Sequence, residues 1–114
     1  MSKLTPSEII KFRAECHINK DGKGVFSLYS IKSDMRRMFD KDSFSEHFGL
    51  LTKNSEHVGL KIVREQIKGN LAEVKYIEYI NQEDKLITYY SKTTFVNEKG
   101  SWKIRKEKRE HDVR

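Results

Sequence analysis

Val58-Gly59-Leu60-Lys61-Ile62-Val63-Arg64-Glu65-Gln66-Ile67 is followed, after Lys68-Gly69-Asn70, by Leu71-Ala72-Glu73-Val74-Lys75-Tyr76-Ile77-Glu78-Tyr79-Ile80. Both runs are rich in β-branched and aromatic residues, and a Gly-Asn turn signal separates them. Two further breaks follow, at Asn81-Gln82-Glu83-Asp84 and Asn97-Glu98-Lys99-Gly100, so residues 58–108 read as four consecutive strands. Connections this short join only antiparallel neighbours. The expected strands cover about 57–67, 70–81, 85–97 and 101–109. In the first, the apolar side changes near Ile62-Val63, which predicts a bulge or a bend. The second is apolar on both sides towards its end, as befits a central strand or a subunit contact. In the third, Ile87, Tyr89, Ser91, Thr93 and Phe95 form the better core face. In the last, Trp102 and Ile104 point inward, and the strand beyond them is polar and projects past the core.

Upstream of this meander the patterns are helical. Thr5-Pro6-Ser7-Glu8 has the residues of a capping box with proline in the first turn. It opens a helix over about 5–17 whose apolar side is Ile9, Ile10, Phe12 and Cys16. A second helix is expected over about 25–39, with a stripe of Phe26, Leu28, Tyr29, Ile31, Met35, Met38 and Phe39. A third, capped by Asp42, runs over about 42–51 with Phe44, Phe48 and Leu51 on one face. Helices followed by a run of strands define an α+β class, with three N-terminal helices packed on a bent four-stranded antiparallel meander.

Length and composition bound the rest. The chain has 114 residues, the size of a single domain spanning 1–114. It is 35% charged and 36% hydrophobic, and its Phe, Tyr and Trp residues supply bulk for a core, which excludes a disordered chain. No run approaches the roughly 20 apolar residues of a membrane span, and Met-Ser-Lys-Leu-Thr-Pro lacks a signal-peptide core. The lone Cys16 agrees with a reducing, cytoplasmic setting. Half of the net charge of +6 lies in residues 103–114, with six basic and three acidic residues. Such a tail could attract nucleic acid. Glu107, Glu110 and Asp112 interrupt it, which favours a solvated edge strand guarded by charge.

Leu28-Tyr29-Ser30, Met38-Phe39-Asp40-Lys41-Asp42-Ser43-Phe44, Val58-Gly59-Leu60-Lys61-Ile62, Val74-Lys75-Tyr76-Ile77 and the hairpin Thr93-Thr94-Phe95-Val96-Asn97-Glu98-Lys99-Gly100-Ser101-Trp102 carry a resemblance. Over about residues 25–105 the chain resembles the nuclear-transport-factor-2-like, or cystatin-like, superfamily, and within it the central domain of YchJ-like proteins. The resemblance implies a cone-like fold and no settled chemistry, because its motifs are packing and turn residues. YchJ-like proteins carry Cys-rich metal-binding segments at their ends. Cys16 alone cannot make one, so no such role carries over.

Motifs for chemistry are sparse. Asn19 to Ser30 has the outline of a calcium loop, with Gly24 and Phe26 in register, but Lys23 and Ser30 occupy ligand places that need oxygen anions. The simpler reading is a Gly-rich turn in which Gly22 or Gly24 takes a positive φ. Glu78 stands apart. If the Val74-Tyr76 face lines the cone, Glu78 points into it beside Tyr89, Ser91 and Lys106, desolvated and with a raised pKa. If the pleat turns after Tyr76, Ile77 and Tyr79 go inside and Glu78 meets water; apolarity favours this second arrangement. His47 lies on the third helix, either at the cone mouth or partly exposed. His17 and His57 sit near element ends without matching acidic partners. No His pair has metal-ligand spacing, no serine sits in a nucleophile elbow, and Cys16 lacks a His partner.

These observations predict a binding or scaffolding domain, with Tyr76, Glu78, Tyr89, Ser91 and His47 as candidate cavity lining for a small ligand. No catalytic residue, metal or cofactor is expected. The outer face, bearing Ile77, Tyr79 and Tyr90, predicts a homodimer through the sheet. The alternatives are an isomerase- or hydrolase-like enzyme using Glu78 with a Tyr or His47, and a nucleic-acid binder using the basic last strand.

Overall fold

Thr5 caps the first helix as its sequence requires. Its side chain accepts from the Glu8 amide, the Glu8 carboxylate accepts from the Thr5 amide, and Pro6 occupies the first turn. A computed structural model describes residues 3–113, with the side chain of residue 113 left aside. The elements in chain order are α1 (Pro6–Ile18), α2 (Gly22–Phe26), α3 (Asp34–Met38), α4 (Lys41–Thr52), β1 (Ser55–Lys68), β2 (Leu71–Gln82), β3 (Lys85–Glu98) and β4 (Ser101–Val113).

The strands form one antiparallel sheet in the order β1-β2-β3-β4, so β2 is central. All three connections are two-residue hairpins. Glu83 and Asp84 both take positive φ (51° and 65°), as do Lys99 and Gly100 (53° and 85°), the geometry that matches the twist of the flanking strands. The expected bulge is present, as a register shift between Ile62 and Arg64, and a second lies between His57 and Gly59. These shifts bend the long β1 and let the sheet curl around the helices. Helix α1 packs on β1 and β2, and α2 packs on α4. The core joins Ile9, Ile10 and Cys16 of α1, Val25 and Phe26 of α2 and Phe44 of α4 to Val74, Tyr76, Phe95 and Ile104 of the sheet. Residues 28–30 add a short parallel bridge to the outer edge of β4. The Ile104 amide donates to Leu28 O, and the Ser30 amide donates to Ile104 O, both at 2.8 Å.

The front half departs from expectation in informative ways. The single helix expected over 25–39 is two short ones. Between them, residues 28–30 are drawn onto β4, and Ser33 restarts the helix as an N-cap. Tertiary pairing overrides a helical stripe, and Ile31 and Met38 of that stripe are exposed. Asp40, not Asp42, caps α4, accepting from the Ser43 amide, and Leu51 is exposed. Phe12 lies at the edge of the α1 contact while Arg13 is buried in its place. In the Gly-rich loop the positive φ belongs to Lys20 (57°). Gly22 and Gly24 serve close approach instead. A Cβ on Gly22 would stand 2.9 Å from the Ser45 backbone, and one on Gly24 2.5 Å from the Asp21 carboxylate. That carboxylate caps α2 by accepting from the Gly24 amide, so it is committed to the helix start.

Candidate functional site

Between the concave sheet and the helices lies a cavity of about 450 Å³. One wall is apolar and aromatic. Met35, Phe39, Phe44 and Phe48 line it, with ring centroids 5.9 Å apart for both Phe39–Phe44 and Phe44–Phe48. His47 is at this wall, stacked on Phe39 at 5.0 Å. The opposite floor comes from the pleat of β2 and β3. Tyr76, Glu78, Tyr89 and Ser91 all face inward, so the five candidate residues line one cavity. The arrangement favoured on apolarity is overturned. Glu78 is 4% exposed, and Ile77 and Tyr79 are on the outer side.

Glu78 tolerates burial because three side chains grip it. His57 Nε2 lies 2.8 Å from its Oε2, and since an ionised carboxylate only accepts, Nε2–H is the donor. Arg109 Nη2 donates to Oε1 at 3.1 Å, and Arg13 Nη2 stands 4.0 Å from the same oxygen. Burial pushes the Glu78 carboxyl up, but the His57 hydrogen bond, then Arg13 and Arg109, outweigh it and hold it at about 2. The raised pKa expected from desolvation is therefore reversed.

Arg13 is the hub of a second group. It donates to the Tyr29 and Tyr76 hydroxyls and pairs with Glu107. The Tyr29 hydroxyl donates to Glu107 Oε2 at 2.8 Å, and Tyr76 shares a 2.7 Å hydrogen bond with Thr93 Oγ1. Burial works against the charges of Arg13 and Glu107, yet each keeps its charge over a wider pH range through the other. Burial pushes both phenols up. His17, bonded to Ser55 Oγ at 3.1 Å, is lowered to about 4 by burial and then by His57 and Lys20. Ser91 is buried, and its hydroxyl has no partner among the described residues.

Four residues of this cluster lie outside the lining expected from the sequence. Arg13 follows Ile9 by four and precedes Cys16 by three, so helical spacing places it on the buried side; its charge masked that signal. Glu107 and Arg109 depend on a register shift in β4. Phe95 faces Ile104 but Thr94 faces Lys106, so Arg105 is extra and the pleat flips after it. This brings Glu107 and Arg109 inward where Lys106 was expected, and β4 stays paired with β3 rather than projecting free. His57, expected to lack an acidic partner, meets Glu78 because the bulge after it leaves both His57 and Leu60 on the inner side. Cys16 is buried, and its thiol is pushed up to about 11, chiefly by burial, so it supplies no thiolate near neutrality.

This curled sheet and helix cap define the nuclear-transport-factor-2-like, or cystatin-like, fold, in line with the resemblance read from the sequence. A SEC-C motif containing protein from Rhodopseudomonas palustris superposes with a TM-score of 0.75 at 16% identity, over 91% of this chain and 77% of that one. A nuclear-transport-factor-2-like protein of unknown function from Pseudomonas putida gives 0.66 at 12% identity, over 90% and 81%. A protein of unknown function with a cystatin-like fold from Nostoc punctiforme gives 0.70 at 11% identity, over 97% and 96%. At these identities the likeness is one of fold. No protein-family model and no curated protein matches the sequence. No helix among the described residues is long and apolar enough to cross a membrane.

Proposed function

We propose that this chain is a small-molecule binding domain whose cavity takes up an amphipathic ligand, the apolar part against the phenylalanine wall and a polar group on the floor. The observation that carries this reading is the Ser91 hydroxyl, buried and without a partner among the described residues, at a cavity of ligand size. A buried hydroxyl left unsatisfied costs about 1–3 kcal/mol, and a ligand that bonds it recovers this. The polar floor is otherwise pre-organised, which limits the ordering cost of binding. The test is a thermal-shift and ligand-observed NMR screen of small aromatic and aliphatic polar compounds, run on the unmodified chain and on Leu51→Trp. Leu51 is exposed and lines the cavity, so tryptophan there blocks the space without disturbing the core. Hits that vanish in Leu51→Trp support the reading. A silent screen, or hits indifferent to the block, refutes it.

Binding is better supported than catalysis. A general base at neutral pH needs a pKa near 7, whereas Glu78 is held at about 2 and burial raises the Tyr29 and Tyr76 phenols. The nucleic-acid alternative has Lys92, Lys106 and Lys108 gathered at a second groove, between α3 and β4. It requires steeply salt-dependent affinity for RNA or DNA, and a flat titration at low salt removes it.

We further propose a homodimer through the outer sheet face, in a cytoplasmic setting. Ile77 and Tyr90 are paired across β2 and β3, with Tyr79 alongside and Tyr90 exposed, which makes a compact apolar patch. Sedimentation velocity on the chain and on Tyr90→Lys tests it. A dimer that dissociates in the variant supports it, and a monomer at micromolar concentration refutes it.

A further inference from the structure

Ser91 has a specific neighbour. The register of β3 and β4 places Arg109 directly opposite it on the inner side, where paired Cβ atoms stand roughly 5 Å apart. Arg109 is only partly engaged. It gives one hydrogen bond to Glu78, lies over the Tyr89 ring at 4.6 Å, and keeps its side chain 44% exposed. A guanidinium has about five N–H donors, so most of the fork takes no part in that bond.

The charges point the same way. Among the described lining residues, Arg13, Lys108 and Arg109 stand against Glu78 and Glu107. Arg13 is taken by Glu107 and the two tyrosines, so the uncommitted donors inside are those of Arg109, and Lys108, which borders the cavity although its pleat position is opposite to that of Arg109, adds its charge nearby. A hydroxyl with no partner among the described residues, on the residue paired with a half-engaged arginine, suits a planar monoanion, with one oxygen accepting from each. We infer that the cavity takes an aromatic carboxylate, its ring against Phe39, Phe44 and Phe48 and its carboxylate between Arg109 and Ser91. A neutral alcohol would satisfy Ser91 and leave the surplus cation. A phosphate dianion would bring more charge than one surplus cation balances. This inference rests on the binding reading above and specifies its ligand.

The probes are naphthaleneacetate, naphthaleneacetamide and naphthaleneethanol, which share a ring and differ in the polar end. Affinities are measured by isothermal titration calorimetry at neutral pH. The acetate is expected to bind at least about tenfold more tightly than the amide, the ratio a charge-assisted hydrogen bond supports. In Arg109→Gln that ratio should fall to within about threefold, and Ser91→Ala should weaken the acetate about tenfold. Amide or alcohol binding as tightly as the acetate overturns the carboxylate and leaves the cavity reading standing. So does an acetate-to-amide ratio unchanged in Arg109→Gln. If none of the three binds, the inference fails, and the binding reading fails with it only when the compound screen is also silent. Should Arg109→Gln not fold, the ratio in the unmodified chain decides alone.

Discussion

His57 on β1 and Glu78 on β2 meet diagonally across the sheet, Nε2 to Oε2 at 2.8 Å, with both side chains buried. Glu78 faces the cavity and His57 stands behind it, so the imidazole orients the carboxylate presented to the cavity. With Arg13 on α1 and Arg109 on β4, the grip on Glu78 ties a helix to both edge strands of the curled sheet. Residues far apart in sequence are thereby held to one geometry at the floor of the cavity.

That arrangement makes Glu78→Gln a severe change. It leaves Arg109 and His57 facing a neutral amide and Arg13 with Glu107 as its remaining ionic partner among the described residues. Breaking a buried pair from one side costs about 3–5 kcal/mol. Urea unfolding should show a lower midpoint with an unchanged slope. A loss below about 1 kcal/mol would mean that the cluster is solvated and does not staple the fold.

Arg13→Leu should be costly for the same reason, because Glu107 and the Tyr29 and Tyr76 hydroxyls lose a common donor. The double change Arg13→Leu with Glu107→Leu should recover part of the loss, since replacing both charges by apolar groups removes the uncompensated carboxylate. A double-mutant cycle in denaturant reads the coupling, expected to exceed about 1 kcal/mol. Strict additivity would contradict the contact.

Acid should weaken the fold in two windows. Glu78 is held at about 2 in the folded chain against an ordinary 4.5, so the unfolded chain binds this proton more readily. The stabilisation is complete above about pH 4.5 and is lost as pH falls toward 2; it is worth about 3 kcal/mol. His17 is held at about 4 against 6.5, so its contribution declines as pH falls from 6.5 toward 4. Unfolding free energy measured against pH should fall through both windows, and His17→Gln should flatten the upper one alone. Stability that rises as pH falls from 6 to 4.5 would contradict the His17 assignment, and a rise as pH falls from 4.5 toward 2 would contradict that of Glu78.

Two glycines should respond in opposite senses to alanine. Gly22 abuts the Ser45 backbone at 2.9 Å from an ideal Cβ, so Gly22→Ala must push α2 from α4 and should cost about 1–3 kcal/mol. Gly49, inside α4, would place its Cβ in open space, and Gly49→Ala should stabilise by about 0.5–1 kcal/mol through helix propensity. Thermal melts of the two variants check the pair, and shifts of the same sign would refute the packing described.

Much of the fold is legible because its signals are local. Thr5, Pro6 and Glu8 act on amides within one turn, and Gly69, Asp84 and Gly100 terminate strands where they stand. The change of apolar side at Ile62-Val63 announces its bulge. The split of the second expected helix is not legible, since it follows from residues 28–30 pairing with Ile104, more than seventy positions away. The site was half legible. Alternation placed Tyr76, Glu78, Tyr89 and Ser91 on one face, but residue polarity alone favoured turning Glu78 out.

From its sequence alone, this chain was bound to make helices followed by a four-stranded antiparallel meander, because caps, turns and pleat depend on neighbours a few residues apart. Only the tertiary structure decided that Glu78 is buried and ionised, with Arg13, His57 and Arg109 around it. That outcome depends on where bulges fall in β1 and β4. Each one-residue shift turns every following side chain to the other face, and the pairing of whole strands sets those shifts.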